Sequence, residues 1–162
     1  MNQELTQDLL HELFDYKDNQ LFWRTRPSNR VDISKPAGAI CKGYVRIGIN
    51  GNLYLAHRLI FLMHHGYLPQ EIDHIDGNRS NNAIKNLRPA TNSQNQYNVR
   101  KQKNNTSGYK GVSWCKQTGK WKAQIGINDK LKSLGYFDCP KKAHEAYCQA
   151  AKQHHKEFAN FG

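Results

Sequence analysis

A short stretch of the chain gathers side chains suited to acid–base and cation chemistry. Asp73-His74-Ile75-Asp76-Gly77-Asn78 is followed by Asn81-Asn82, by Asn86-Leu87-Arg88 and by Asn95. A neutral histidine is a competent base near pH 7. Carboxylate and amide oxygens suit a hard divalent cation, which commonly keeps water or substrate phosphate as its other ligands. Neighbouring residues of a regular strand point to opposite faces. Asp73 and His74 can therefore serve one point only at a strand end or in a bend. Each residue also has a plain reading. Asp73-His74 can be a polar strand end, Asp76-Gly77-Asn78 a turn, and Asn86 and Asn95 turn and helix-surface residues. Their order and spacing together favour the chemical reading.

The surrounding sequence must position these groups. Residues 6–16 carry Leu9, Leu10, Leu13 and Phe14 on one helical face, with Thr6 as the cap. Leu21-Phe22-Trp23 reads as a short strand, and residues 24–42 read as a loop. Residues 43–49 and 53–55 flank Asn50-Gly51, a strong hairpin signal. Ala56, Leu59, Ile60 and Met63 then predict a helix over 56–65, ended by Gly66. His57 is expected to be structural, and His64-His65 to lie on the surface at the helix end. Residues 71–75 predict a strand, and 76–82 a loop rich in turn residues. Leu87-Arg88 starts a second strand, broken by Pro89. Thr91-Asn92-Ser93-Gln94 fits a capping box, so a helix carries Asn95 in its first turns.

Formal net charge is +11 over 162 residues. Residues 1–70 carry 8 Lys and Arg against 6 Asp and Glu, and residues 71–100 carry 4 against 3. Residues 101–162 carry 12 against 4, so most of the excess sits in the last third. That bias favours a polyanionic partner through phosphate neutralisation and counterion release. No apolar run is long enough to span a membrane. Met1-Asn2-Gln3-Glu4 lacks the basic start and apolar run of a secretory signal, so the expected compartment is cytoplasmic. Cys41, Cys115, Cys139 and Cys148 form no Cys-x-x-Cys pair. They are expected as free, mostly buried thiols, with no structural zinc.

Ala56-His57-Arg58-Leu59, Asp73-His74-Ile75-Asp76-Gly77-Asn78, Asn81-Asn82, Asn86-Leu87-Arg88 and Asn95 together resemble an HNH endonuclease of the phage and homing type. The resemblance covers residues 43–100. It implies a ββα-metal (His-Me finger) core, two short strands and a helix around one divalent ion. It assigns His74 as the base that activates water, and Asp73 and Asn95 as metal ligands. Asn86 takes a supporting role, bracing the loop so that His74 points at the water. The third signature position is Asn95 rather than histidine. A neutral, hard amide oxygen points to Mg²⁺, with Mn²⁺ as its substitute, rather than zinc. Arg79 and Arg88 are candidates for contact with phosphate.

Three strand-like runs, 110–116, 120–127 and 131–137, occupy the basic last third. Trp121, Ala123, Ile125 and Ile127 alternate with Lys122, Gln124, Gly126 and Asn128, giving one buried and one polar face. Asp138 is expected to cap a closing helix with Pro140 in its first turn. Ala143, Ala146, Tyr147, Ala150 and Ala151 form its apolar stripe, and His154-His155 are expected on its surface. Ser107-Gly108-Tyr109-Lys110-Gly111-Val112, residues 120–125 and Leu134-Gly135-Tyr136-Phe137 resemble the DNA-binding domain of ethylene-response factors (AP/ERF). That resemblance implies a three-stranded antiparallel sheet in the DNA major groove, backed by the helix. Where the plant pattern places arginine or tryptophan, this chain has Ser113, Cys115, Gly126, Leu131 and Ser133. The remaining outward candidates are Lys110, Lys116, Lys120, Lys122, Gln124 and Asn128. Lysines mainly meet phosphates, so modest sequence preference is expected. Trp114 and Trp121 are expected in the core.

The expected fold class is therefore α+β. A β-hairpin and helix precede the ββα-metal core, and a three-stranded antiparallel sheet packed on one helix follows. The expected domains are 1–100 (core 43–100, accessory segment 1–42), a linker at 101–106, and 107–162. The expected partner is double-stranded DNA, bound by a monomer or a homodimer and cut in one strand or both. The rival readings are a non-catalytic DNA-binding regulator on an HNH scaffold and an RNA-binding or structural protein of a basic particle.

Overall fold

The computed structural model describes residues 5–102 and 104–162. Residues 1–4, which bear on the reading of the N-terminus, and Lys103, within the expected linker, lie outside the described residues. The chain forms two compact units, Met1–Pro89 and Ala90–Gly162. Both mix helices with small sheets, in keeping with an α+β fold.

The first unit opens with α1 (Gln7–Leu13), whose cap Thr6 accepts a hydrogen bond from the Leu9 amide at 3.2 Å. The helix stops earlier than its apolar pattern suggests. Phe14 turns extended and begins β1 (Phe14–Lys17), which pairs with β2 (Gln20–Trp23). Phe14 faces Trp23 across this hairpin with ring centroids 4.3 Å apart, so burial of that pair outweighs one more helical turn. Asp18 and Asn19 form the turn at φ 50° and 63°, values that Asn and Asp tolerate better than most residues.

β3 (Ala39–Cys41), β4 (Tyr44–Ile49) and β5 (Asn52–Leu55) form an antiparallel sheet with β4 in the middle. β3 lies in the stretch expected as loop, while the Asn50-Gly51 turn stands where the sequence puts it. α2 (Ala56–His65) ends at Gly66, which is left-handed at φ 73°. Leu59, Ile60, Phe61, Leu62 and Met63 of α2 are buried with Leu10, Phe14 and Ile47 in one core. Each such side chain contributes roughly 1.5–3 kcal/mol by burial. β6 (Glu71–His74) and β7 (Leu87–Ala90) then pair as a two-stranded sheet. β7 continues through Pro89, because a two-stranded sheet leaves each strand one open edge where a missing N–H costs nothing.

The second unit begins with α3 (Asn92–Tyr97) and its capping box between Thr91 and Gln94. β8 (Val112–Cys115), β9 (Lys120–Ile127) and β10 (Lys130–Phe137) form an antiparallel sheet in the order β10-β9-β8. α4 (Pro140–His155) packs on it, with Ala143, Tyr147 and Ala151 against Val112, Ala123 and Ile125 in two adjoining clusters. Gly111, at φ 74°, lets the chain pass so close to Tyr147 that a methyl group there would run into the ring.

Several expectations need correction. Cys139, not Asp138, stands at the cap position of α4; the Asp138 carboxylate pairs instead with Lys120 at 3.1 Å. His155 is buried, because its ring stacks on Tyr97. Trp114 is 48% exposed near the end of its strand, while Trp121 packs on the core. Cys41 is exposed, and the other three cysteines are half-buried. Among the described residues, no helix is long and apolar enough to cross a membrane.

Candidate active site

His74 closes β6, and the chain turns immediately: the Gly77 amide donates to the His74 carbonyl at 2.8 Å. The strand end that adjacent Asp73 and His74 demand is therefore present. Both side chains are buried. His74 Nε2 lies 3.2 Å from Asn82 Oδ1. An amide oxygen only accepts, so Nε2 carries the proton and Nδ1 is the basic nitrogen of the neutral ring. Burial holds His74 below the usual imidazole pKa, against Asn82, Asp76 and Asp73, which favour its proton. The ring thus stays neutral at physiological pH, as a base requires.

Rings flank the histidine. His57, from the first turn of α2, meets His74 edge to face at 4.9 Å between centroids. Burial first, then His74 and Arg58, push the His57 pKa down to about 3. Tyr44 of β4 lies 5.5 Å from His57 and 6.2 Å from His74. The Arg79 guanidinium stands 5.0 Å above the Tyr44 ring.

The loop after His74 is cross-linked by amides. Asn86 Oδ1 accepts from the Asp76 amide at 3.1 Å, and its Nδ2 donates to Asp76 Oδ1 at 3.0 Å and to the Asn81 carbonyl at 2.8 Å. Asn81 Nδ2 donates to Asp76 Oδ2 at 2.7 Å. These bonds pull Asp76 below the usual carboxylate pKa, although burial opposes the shift. Residue types and spacing assign Asn82 no role, yet it makes the hydrogen bond that fixes the His74 tautomer. Asn82 belongs to the Asn81-Asn82 pattern, but its burial beside the histidine eight residues earlier is not visible in the sequence.

Asp73 is held by Arg88. Arg88 Nε and a terminal guanidinium nitrogen donate to Asp73 Oδ2 at 2.8 and 2.7 Å, with both side chains largely buried. Asn95, half-buried, sits on α3 in the second unit. Among the described residues, no group of three or more His, Cys, Asp or Glu side chains gathers as a cation site. The donor chemistry of a buried carboxylate and an amide nevertheless suits a hard ion. A carboxylate accepts at about four positions, so the bonds from Arg88 do not by themselves exhaust it.

In the second unit, β-sheet register places Ser113 opposite Lys122, Gln124 opposite Ser133 and Gly126 opposite Leu131. This face is the one turned away from α4, since Ala123 and Ile125 alternate with it and are buried. Lys116 and Asn128 are exposed beside the strands, and Lys120 is exposed at the start of β9. Lys110 turns inward instead. Its Nζ donates to the Tyr97 carbonyl at 2.8 Å, and burial lowers its pKa to about 8. Of the candidates for DNA contact, Arg88 and Lys110 are thus turned onto protein oxygens away from solvent, and Lys120 pairs with Asp138 at the surface.

The model of the HNH endonuclease family matches residues 54–97, and that of the AP2 domain matches residues 107–157. Protein 3.8 of Escherichia phage T7 is 37% identical over 90 residues, which cover 56% of this chain and 74% of that protein. No solved structure matches the chain. The chain belongs to the HNH endonuclease family, with an AP2 domain following its HNH domain.

Proposed function

We propose that the protein is a metal-dependent DNA endonuclease whose HNH domain hydrolyses a phosphodiester bond and whose AP2 domain holds the duplex. The observation that carries this reading is the state of His74. It is buried, neutral, and fixed by Asn82 with Nδ1 as its basic nitrogen. A general base needs that combination, and the HNH match over residues 54–97 takes in His74.

His74 Nδ1 takes a proton from a water as the water oxygen bonds to phosphorus and the bond to the leaving sugar oxygen breaks. Asn82 keeps the ring in the tautomer that can accept that proton. Asn86 braces the loop behind the histidine through Asp76 and Asn81. Asp73 and Asn95 would hold a divalent ion, Mg²⁺ in preference to zinc, in a ββα-metal arrangement; Asn95's part rests on the HNH match reaching residue 97. Such an ion supplies a Lewis acid and a template for the scissile phosphate. Arg88 holds the Asp73 carboxylate in place. Arg79, Lys116, Lys120, Lys122, Gln124 and Asn128 would meet DNA, mostly at phosphates. A weakly binding domain in the same chain raises the concentration of DNA at the nuclease.

The test is supercoiled plasmid incubated with Mg²⁺, with Mn²⁺ or with EDTA, beside His74→Ala. Metal-dependent conversion to open-circle or linear DNA is expected, falling at least about a hundredfold in the variant. The products also show whether one strand or both are cut. Equal conversion by His74→Ala would remove the histidine from the mechanism. An inert wild type across both metals and several DNA sources would leave the DNA-binding regulator.

A further inference from the structure

The loop that follows His74 spends its other polar side chains within the protein. Asp76 accepts from the Asn78 amide, from Asn81 and from Asn86. Asn78 accepts from Ser80, and Asn82 holds His74. Arg79, exposed between Asn78 and Ser80, is the exception. Among the described residues, no oxygen accepts from its guanidinium and no carboxylate pairs with it. The Tyr44 ring holds it instead, through the attraction of a cation to an aromatic face. Its stem lies near Gly43, where an added Cβ would sit 3.8 Å from Arg79 Cδ. Tyr44 also borders the base. Its centroid is 5.0 Å from the guanidinium carbon and 6.2 Å from the His74 ring, so guanidinium and imidazole stand at most about 11 Å apart. Burial first, and then the charge of Arg79, disfavours a proton on His74, so that charge reaches the histidine. Gly43, Tyr44, His74 and Arg79 all belong to the first unit.

We propose that Arg79 is a catalytic residue of the HNH domain, binding the non-bridging oxygens of the phosphate under attack, and that Tyr44 is its positioning residue. The inference rests on the reading of His74 as the base. A water about 3 Å from the histidine and about 3–3.5 Å from phosphorus spans the larger part of the separation. Guanidinium donors about 2.7–2.9 Å from a phosphate oxygen close the rest. As the water oxygen bonds to phosphorus, its proton passes to Nδ1. The leaving sugar oxygen departs with the bonding pair and takes a proton from solvent. The charge of the transition state is spread over the non-bridging oxygens, and a fixed cation stabilises it without making or breaking a bond. The planar fork of an arginine suits two such oxygens at once. Arg88 is not placed for this part, because its guanidinium is turned onto Asp73.

The experiment compares the full chain as wild type, Arg79→Ala, Arg79→Lys, Tyr44→Phe, Tyr44→Leu and His74→Ala. Cleavage of supercoiled plasmid is followed in Mg²⁺ with saturating protein, and duplex affinity is measured in EDTA. Arg79 is exposed, so its loss does not open the core. Arg79→Ala is expected to slow the saturated rate by about a hundredfold or more, with affinity changed by less than about threefold. Arg79→Lys keeps the charge without the fork, so an intermediate rate is expected. Tyr44→Phe keeps the ring and should cut near the wild-type rate, whereas Tyr44→Leu should lose about tenfold. Because Tyr44 also borders His57 and His74, Tyr44→Leu is repeated on Arg79→Ala, where a ring that acts through the arginine adds less than about twofold. The full tenfold loss on that background would remove the positioning role. A wild-type saturated rate in Arg79→Ala beside an inert His74→Ala would overturn the proposal and leave the base reading standing. An active His74→Ala, or an inert wild type, would remove the base reading and the proposal with it.

Discussion

His74 donates its Nε2 proton to Asn82 Oδ1 across 3.2 Å, between two buried side chains. This bond decides which nitrogen of the proposed base is basic. Asn82→Leu removes the acceptor at similar size and leaves a buried N–H without that partner. It should cost about 1–3 kcal/mol of stability. It should also lower the single-turnover cleavage rate by about tenfold to a hundredfold, the range for partners that orient a functional imidazole. DNA affinity measured in EDTA should stay within about twofold. A full cleavage rate in a folded Asn82→Leu protein would mean that Asn82 is only a packing residue.

Arg88 and Asp73 form an ion pair with little solvent access. Removing one partner from such a pair costs about 3–5 kcal/mol, because the other charge stays behind in a low-dielectric site. Arg88→Ala should therefore lower the urea midpoint strongly, and Arg88→Lys should recover only part of the loss, since a lysine lacks the planar fork. If Arg88 serves DNA instead, Arg88→Ala would unfold at the wild-type midpoint and bind duplex more weakly. Equilibrium unfolding and a binding titration on the same sample separate the two.

Much of this arrangement is legible in the sequence. The Asn50-Gly51 turn, the span of α2 with its Gly66 stop, and the Thr91 capping box all rest on local chemistry, and each stands where the residues put it. Asn86 bonds the Asp76 amide and the Asn81 carbonyl in the loop after His74. What is not legible depends on partners distant in the chain. Phe14 continues the apolar period of α1 but leaves the helix for Trp23. Asp18-Asn19 and Asn128-Asp129 make tight turns without a glycine, so they lack the usual hairpin signal. His155 looks like the surface end of α4 until Tyr97, 58 positions earlier, is seen stacked on it. Lys110 and Arg88 read as cations for phosphate, yet each meets a protein oxygen.

Acid should destabilise the first unit through His57. Its folded pKa is pushed down to about 3 by burial, then by His74 and Arg58, while the unfolded value is near 6.5. Above about pH 6.5 both states are neutral and no penalty exists. As pH falls below that value, the unfolded chain binds a proton that the folded chain refuses, so stability declines down to about pH 3. At pH 5 the loss is on the order of 2 kcal/mol. Urea unfolding at pH 7.5 and pH 5 should show it, and His57→Gln should shrink the difference between the two pH values. An equal difference in His57→Gln would assign the acid sensitivity to other groups.

The lysines of the AP2 domain should separate by the direction their side chains take. Lys116, Lys120 and Lys122 lie along or beside the face turned from α4, where phosphates are proposed to lie. Each phosphate that goes without its lysine reduces the slope of log affinity against log salt by about 0.9. The triple alanine variant should therefore flatten that slope by up to about 3, and weaken binding to all duplex sequences alike. Lys110→Ala should leave the slope near wild type, because its Nζ already donates to the Tyr97 carbonyl. Fluorescence anisotropy with a labelled duplex over a range of salt concentrations measures both. A triple variant with the wild-type slope would move the DNA-binding surface off this sheet. If Lys110→Ala flattens the slope as much as removal of one surface lysine does, Lys110 must leave Tyr97 when DNA arrives.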